Sequence, residues 1–323
     1  MTNRPDLAGT WLFLTVAICT FNRAESLRRT LRSLVALRVA DHLDWEVVVV
    51  NNNCNDHTDN VIASFSDRLP IRREFEPQRG LSWARNRAVQ AAEGNYILWI
   101  DDDVVVDPDW AAAYAQAFHQ WPGAAVFAGP IVPRYVPPVP KWIVDSEAVL
   151  GQTVFAGCDF GDSVVPLSVT RIPWGPNFAI RMAEQRANRY DTRLGHAPGQ
   201  SRRGEEVDVM VRIIRSGATG YWVPGASVEH YSQPEHQTLQ YIMRWFSISG
   251  ETIAFREDTP TSPLLFGVPR WLWRSFIEGW LRYQICRHIS PAPIWVGHLK
   301  DYRTAWGAIR QYLRMRIRGT SIA

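Results

Sequence analysis

Residues 95–103 read NYILWIDDD and join an uncharged hydrophobic segment to three consecutive aspartates. The hydrophobic part is rich in aromatic and branched aliphatic residues, which is typical of a strand buried on both faces. Because an unpaired buried charge is costly, the three carboxylates must lie where this strand leaves the core. In open α/β sheets, that carboxyl end of a strand is where ligands bind.

The three aspartates predict a cation site. Adjacent carboxylates repel one another, a divalent cation relieves the repulsion, and oxygen ligands suit Mg²⁺ or Mn²⁺. The alternative is a solvated acidic turn, which the following Asp107-Pro108-Asp109 would support. We favour the cation, because acidic turns rarely follow directly on a hydrophobic strand.

Strand and helix patterns alternate along the first hundred residues. The predicted strands cover residues 11–19, 45–50, 71–75 and 95–100, and the predicted helices cover residues 24–37, 58–65 and 81–93. This alternation predicts an α/β fold whose sheet is mostly parallel, Rossmann-like and covered by helices on both faces.

Polar residues follow the first two predicted strands and would line one crevice with the aspartates. Amide and carboxylate side chains there can hydrogen-bond a nucleobase or a ribose. Arg79 and Arg85 precede the acidic strand, and either could meet a phosphate. The chain has neither GxGxxG after its first strand nor GxxxxGK[ST], so the dinucleotide fingerprint and the P-loop are absent.

Four segments occur in a characteristic order: TFNR at 20–23, VVNNNCND at 49–56, GLSWARN at 80–86 and GNYILWIDDD at 94–103. Together they resemble the nucleotide-binding half of inverting family 2 glycosyltransferases. The resemblance implies the GT-A fold and a nucleotide-diphosphate sugar as co-substrate. It places the donor nucleoside against Thr20, Asn22, Arg23, Asn51 and Asn52. The predicted donor-binding set also includes Arg79, Arg85, Asp101 and Asp102. Many members carry Asp in place of Asn51 and Asn52, which leaves the nucleobase open.

The second half of the chain extends the resemblance. Residues 174–180, WGPNFAI, look like the acceptor-side segment of the family. Glu205 and Glu206 stand where members carry Glu-Asp, whose second acid is the general base. Glu206 is therefore the predicted base, with Glu205 as the alternative. Acids also favour the first turn of a helix, but the three acids here, Glu205, Glu206 and Asp208, exceed what capping needs.

His230 follows a predicted strand at residues 226–229. Many GT-A enzymes have a metal-ligating histidine at this place, although a lone histidine can also be an ordinary strand-end residue. The predicted metal ligands are Asp103, Asp101 and His230.

The C-terminal region differs in composition. Residues 263–323 contain ten Lys or Arg, two acids and five Trp. On a helix, one hydrophobic stripe would form from Tyr302, Trp306, Ile309, Leu313 and Ile317. Basic amphipathic helices with aromatic residues bind anionic membrane surfaces. Alternatively, the stripe packs on the enzyme domain or on a second subunit in a homodimer. We do not expect nucleic acid, because no recognition motif accompanies the charge.

These patterns predict a GT-A domain over residues 1–255, divided into a nucleotide-binding half (11–110) and an acceptor and catalytic half (111–255). A basic, Trp-rich helical region follows at 256–323. Four scattered cysteines form no CxxC pair, and no signal peptide or hydrophobic run of about 18 residues is evident. We therefore expect a cytoplasmic protein, either free or peripheral on the inner face of the cell membrane.

The function predicted from the sequence is metal-dependent, inverting transfer of a sugar from a nucleotide-diphosphate donor to the hydroxyl of a carbohydrate or lipid-linked acceptor, in polysaccharide or glycolipid synthesis. A nucleotidyltransferase would need a Gly-rich loop after the first strand, where TFNR has no glycine. An inactive sugar-binding relative is the other alternative, and the intact aspartates and the Glu205-Glu206 pair argue against it.

Overall fold

A computed structural model of the chain describes residues 12–39, 43–199, 202–257 and 262–317. The chain forms two compact units. The first unit consists of the described residues within Met1–Arg134, Ala156–Gln200 and Gly204–Tyr231, and the second of those within Tyr135–Phe155, Ser201–Arg203 and Ser232–Ala323. The helix at Leu239–Arg256, which the prediction assigned to the enzyme domain, belongs to the second unit.

The strands are β1 (Leu12–Thr20), β2 (Leu43–Asn51), β3 (Ile71–Phe75), β4 (Tyr96–Asp101), β5 (Val104–Val106), β6 (Val126–Ala128), β7 (Ile131–Tyr135), β8 (Phe178–Arg181), β9 (Gly220–Trp222), β10 (Val228–Ser232), β11 (Leu264–Leu265) and β12 (Val268–Pro269). A seven-stranded sheet in the order β3-β2-β1-β4-β8-β6-β9 organises the first unit. Strands β3, β2, β1 and β4 run parallel, while β8 is antiparallel to both of its neighbours. The predicted α/β class and the mostly parallel sheet are confirmed.

The helices are α1 (Ala24–Val35), α2 (Thr58–Ala63), α3 (Leu81–Ala91), α4 (Trp110–Gln120), α5 (Lys141–Asp145), α6 (Glu147–Leu150), α7 (Met182–Ala187), α8 (Glu205–Arg215), α9 (Leu239–Arg256), α10 (Arg270–Ile289) and α11 (Ala292–Ile317). Consecutive residues Val47, Val48, Val49 and Val50 of β2 are all fully buried. Because successive side chains of a strand point to opposite faces, the sheet is covered on both sides.

Strand register brings the polar strand ends to one edge of the sheet. Thr20 at the end of β1 pairs with Asn51 at the end of β2. On the other side of β1, Cys19 pairs with Asp101 at the end of β4. The polar ends of three adjacent parallel strands therefore lie side by side, as the alternation of elements predicted.

The second unit is held together by α9, α10 and α11. Its core includes Ile242 and Phe246 of α9 with Tyr302 and Ile309 of α11. The stripe predicted on this last helix is therefore internal, because Tyr302 is 6% exposed and Ile309 is fully buried. For the described members of the stripe the packing alternative holds, whereas the Ile317 side chain lies outside the described residues.

Charged residues beside the stripe also make internal contacts. Arg310 and Arg314 of α11 pair with Glu251 of α9, and Arg303 Nε donates to the carbonyl of Met243 at 3.2 Å. These arginines therefore join two helices of the second unit. Within the described part of the chain, no helix is both long enough and apolar enough to cross a bilayer.

Candidate active site

The acidic side chains that end β4 contact residues at the end of β1 and just after it. Asp101 is the last residue of β4, and Asp102 and Asp103 form the turn into β5 with 4% and 5% exposure. Arg23 Nη1 lies 3.2 Å from Asp102 Oδ1 and 2.8 Å from Asp103 Oδ2, and Thr20 Oγ1 donates to Asp102 Oδ2 at 2.7 Å. Burial raises the pKa of Asp102 to about 6, although Arg23 opposes the shift.

This geometry weakens the case for a cation that was based on repulsion among the three aspartates. The sequence suggested that a cation is the simplest relief for three adjacent carboxylates, whereas Arg23 already neutralises part of that charge. Thr20 and Arg23, predicted to hold the nucleotide, are at the site but bind Asp102. The Arg23 side chain is still 41% exposed.

Asp103 and His230 form a pair of potential metal ligands. His230 Nε2 lies 3.2 Å from Asp103 Oδ1. The prediction put His230 after a strand, but β10 continues to Ser232 and pairs His230 with Val104 of β5. That pairing carries the imidazole to the acidic turn.

The two side chains fit a divalent cation as a partial ligand set. A carboxylate and an imidazole suit Mn²⁺, and cations at phosphate sites commonly use one or two protein groups with substrate phosphates completing the shell. No group of three or more His, Cys, Asp or Glu suited to a metal occurs within the described ranges. Asp101, with a 38% exposed side chain, is the predicted ligand most open to solvent.

Arg85 is a buried cation between the two acidic groups. It lies on α3 and is 3% exposed, with Nη2 3.6 Å from Asp101 Oδ1 and Nη1 3.7 Å from Glu205 Oε1. Aromatic rings surround its guanidinium: Trp99, Phe178 and Tyr190. Burial alone would lower the pKa of Arg85, but the neighbouring acids, led by Glu205, raise it by more. The net shift is upward, so the guanidinium stays charged.

Glu205 and Glu206 begin helix α8. Gly204 precedes them with φ of 83°, a left-handed conformation that glycine adopts readily. Both acids lie in the first turn of this helix. Glu206 Oε1 accepts a hydrogen bond from the Gly175 amide at 3.2 Å, in the predicted acceptor-side segment. Burial and the charge of Glu206 raise the pKa of Glu205 to about 7, against the opposing effect of Arg85.

Asn51 and Asn52, both predicted to bind the nucleotide, hydrogen-bond to neighbouring loops. Asn51 Nδ2 donates to Asp59 Oδ1 at 2.6 Å, and Asn51 Oδ1 accepts from the Cys54 amide at 2.7 Å. Asn52 Nδ2 donates to the carbonyls of Gln78 at 2.7 Å and Glu76 at 3.1 Å, while its Oδ1 accepts from the Gly80 amide at 2.8 Å. Both side chains are buried and fix the backbone of the crevice.

Asn22 and Arg79, also predicted to bind the donor, contact neighbouring protein groups. Asn22 Oδ1 accepts from the Asn55 amide at 2.8 Å, which ties the ends of β1 and β2 together. The Arg79 guanidinium lies 4.3 Å from the ring centre of Phe21, whose side chain is partly exposed. This cation–π contact lies directly after the end of β1.

The sequence did not indicate two of the contacts in this region. Arg85 was predicted to meet a phosphate, and its burial between Asp101 and Glu205 was not foreseen. Asn177 of the acceptor-side segment is fully buried: its Oδ1 accepts from Trp110 Nε1 and Tyr114 Oη, both at 2.9 Å. Asn177 therefore supports the segment from inside, and no local pattern in the sequence indicated this.

The site geometry agrees with the family assignment. The family described as Glycosyl transferase family 2 matches residues 15–183, over half of the chain. The protein has the GT-A fold and belongs to glycosyltransferase family 2.

Relatives extend the match beyond that segment. The succinoglycan biosynthesis protein ExoM of Rhizobium meliloti is 25% identical over 244 residues, covering 75% of this chain and 74% of its own. The glucosyl-dolichyl phosphate glucuronosyltransferase of Haloferax volcanii is 26% identical over 225 residues, covering 67% and 68%.

A solved structure supports the fold. The mannosyltransferase PcManGT from Pyrobaculum calidifontis, in complex with GDP-Man and Mn²⁺, superimposes with a TM-score of 0.52 at 15% identity. The match covers 99% of this chain and 79% of that structure.

Proposed function

We propose that this glycosyltransferase transfers a sugar from a nucleotide-diphosphate donor to an acceptor hydroxyl, with a divalent cation and inversion at the anomeric carbon. The acceptor would be a growing polysaccharide or a glycolipid. Two relatives support this acceptor class, since one is named for succinoglycan biosynthesis and the other for a dolichyl phosphate substrate.

The observation that carries the proposal is the Arg85 bridge. One buried guanidinium lies within 3.7 Å of both Asp101, at the end of β4, and Glu205, at the start of α8. The predicted donor end and the predicted base end are therefore parts of one charged cluster. A transfer reaction requires this proximity, because the acceptor hydroxyl must reach the anomeric carbon while the diphosphate is still held.

Each residue of the cluster has a defined task in this proposal. Asp103 and His230 would hold the cation, with Asp101 open to the same space. When bound, the cation would act as a Lewis acid that stabilises charge on the departing diphosphate. Arg23 and Arg85 pair with these carboxylates and offset part of their negative charge.

Glu206 would take the proton from the acceptor hydroxyl. Its contact with Gly175 supports this assignment, because Gly175 belongs to the predicted acceptor-side segment, whereas Glu205 faces Arg85. A single displacement assisted by one base needs no covalent intermediate and inverts the anomeric centre.

Thermal unfolding with a panel of nucleotide sugars, with and without Mn²⁺, tests the donor and the metal together. A true donor at a hundredfold excess over its dissociation constant should stabilise the fold by about 2.7 kcal/mol. Asp103→Asn should abolish the Mn²⁺-dependent part of this stabilisation. Asp109→Asn is the matched control, because Asp109 has a 55% exposed side chain that pairs with Arg38 at the surface.

Two results would contradict the proposal. One is a panel in which no nucleotide sugar stabilises the protein under either condition. The other is an Asp103→Asn variant that keeps the full metal-dependent stabilisation. With the donor identified, NMR of the product gives the anomeric configuration, and retention would exclude the single displacement.

A further inference from the structure

Helix α10 of the second unit presents a row of exposed aliphatic side chains. Ile277, Leu281, Ile285 and Ile289 are 52%, 49%, 60% and 76% exposed. Residues four apart lie on one face of a helix, so the four side chains form a continuous strip about three turns long. The opposite side carries the buried residues of the helix, Leu272, Gly279 and Tyr283.

The β11–β12 hairpin adds to this surface next to the first turn of α10. Leu264, Leu265 and Phe266 of the hairpin are 39%, 41% and 69% exposed. Trp273 Nε1 donates to the Leu265 carbonyl at 3.2 Å, and the Arg270 amide donates to the Pro263 carbonyl at 3.0 Å. These bonds fix the hairpin to the helix. We refer to the seven side chains, Leu264, Leu265, Phe266, Ile277, Leu281, Ile285 and Ile289, as the α10 face.

Positive charge accompanies the α10 face. Residues 262–289 contain four arginines and one glutamate. Arg274 pairs with that glutamate, Glu278, at 2.7 Å. The other three, Arg270, Arg282 and Arg287, form no ion pair within the described ranges. Exposed tryptophans Trp271 and Trp280, at 54% and 43%, lie on the same helix.

We propose that the α10 face docks on an anionic phospholipid bilayer, with α10 lying in the plane of the interface. Aliphatic and aromatic side chains would enter the boundary between headgroups and acyl chains, which gives binding that salt does not screen. The arginines would contact lipid phosphates, and each one near such a surface strengthens binding roughly fivefold. Tryptophan is enriched at this depth of the membrane because its ring is amphipathic.

Charge favours lipid over a second copy of the chain as the occupant. A twofold dimer through the α10 face would bring the same patch of both copies together, so the unpaired arginines of one copy would face those of the other. An anionic bilayer offers opposite charge over the whole face. The proposal concerns a surface of the second unit and does not depend on the transfer chemistry.

Vesicle sedimentation with the full chain tests the proposal. Vesicles of 70% phosphatidylcholine and 30% phosphatidylglycerol should pellet the wild-type protein, pure phosphatidylcholine should pellet much less, and added salt should weaken the binding. The double variant Leu281→Glu with Ile285→Glu should lower the partition coefficient at least tenfold. Both positions are exposed, so its thermal unfolding midpoint should stay close to that of the wild type.

Val35→Glu is the matched control, since it places the same charge at a 39% exposed aliphatic position on α1 of the first unit. This variant should sediment like the wild type. The proposal is overturned if the wild-type protein does not pellet, or if the double variant pellets as well as Val35→Glu. It is also overturned if light scattering detects a dimer that the double variant dissociates, because the α10 face would then be a subunit interface.

Discussion

Glu206 is the side chain on which the proposed chemistry depends most directly. Glu206→Gln keeps the shape and the hydrogen bond from Gly175 but cannot accept the proton of the acceptor hydroxyl. We expect donor affinity to stay unchanged and sugar transfer to fall about 100-fold or more, the usual contribution of a general base. Single-turnover transfer and donor titration separate the two effects.

Glu205→Gln is the control for that substitution because the two acids are adjacent in the same helical turn. The paired variants assign the base. If Glu205→Gln loses transfer while Glu206→Gln retains it, the base is the residue facing Arg85, and the contact with Gly175 has only a structural role.

Glu205 itself should make the stability of the protein depend on pH. Its pKa is raised from 4.5 to about 7, first by burial and then by the charge of Glu206, so the folded state binds the proton more tightly than the unfolded state. The resulting stabilisation is complete below pH 4.5 and is lost as the pH rises through 7. Between pH 4.5 and a pH above 7, the free energy of unfolding of the wild type should fall by on the order of 1–3 kcal/mol relative to that of Glu205→Gln.

Urea unfolding of both proteins at pH 4.5, 6 and 8 measures that difference directly. Titrating groups remote from Glu205 are common to the two proteins and cancel in the comparison. Parallel curves for the wild type and Glu205→Gln would mean that Glu205 titrates like an ordinary surface glutamate.

At the scale of elements, two glycines determine how closely α9 and α11 pack. A Cβ on Gly250 would lie 1.9 Å from the Thr304 carbonyl oxygen, and a Cβ on Gly307 would lie 1.8 Å from the Ser247 carbonyl oxygen. Backbone atoms cannot move aside as a flexible side chain does, so Gly250→Ala and Gly307→Ala must separate the helices. We expect each to destabilise the fold by about 1–3 kcal/mol.

Gly297→Ala supplies the comparison within the same helix. A Cβ on Gly297 of α11 would meet nothing within 4 Å. Alanine there should stabilise the protein by roughly 0.5–1 kcal/mol, because it restricts the unfolded chain and favours helix. Chemical denaturation gives all three values, and equal effects at the three positions would refute the close-packing argument.

Helices and strands with a strong hydrophobic pattern could be predicted from the sequence, but the elements that they pack against could not. The buried strands β1, β2 and β4 each carry an uninterrupted hydrophobic run closed by polar residues, so their existence and the shared edge of the sheet followed. The stripe on α11 was equally clear, but periodicity gives only a hydrophobic side and not the surface that covers it. Helix α9 covers that side, and no local pattern pairs two helices.

The same limit applies to the site. The aspartates after a hydrophobic strand predicted that Asp101 lies at the edge of the sheet, and the register of β1 and β4 puts it there. The role of Glu206 follows from the family resemblance and stays a prediction. Arg23, Arg85 and Asn52 were expected to face a ligand, and the structure adds protein partners for each of them that the sequence did not indicate. A residue type fixes what a side chain can bind, but only the tertiary structure decides which partner reaches it.

At the scale of the whole molecule, the sequence and the structure draw different boundaries. Composition changes after residue 255, which led to a predicted enzyme domain at 1–255. The second compact unit instead combines α9 with α10 and α11, and it also includes Tyr135–Phe155. Ile143 and Phe155 from that segment share a core with Phe246 of α9 and Leu299 of α11. The predicted boundary and the boundary between the compact units differ in whether α9 can fold without α10 and α11.

A chain truncated after Glu257 distinguishes these boundaries. It lacks α10 and α11, so Ile242, Phe246 and Ala254 of α9 lose buried contacts that contribute roughly 1–3 kcal/mol each. We expect trypsin to cut rapidly within residues 232–257 while the sheet of the first unit stays protected, as mass spectrometry of timed digests would report. The full chain under the same protease is the control. Equal protection of α9 in both chains would support the boundary at residue 255 and would show that α9 does not need the C-terminal helices to fold.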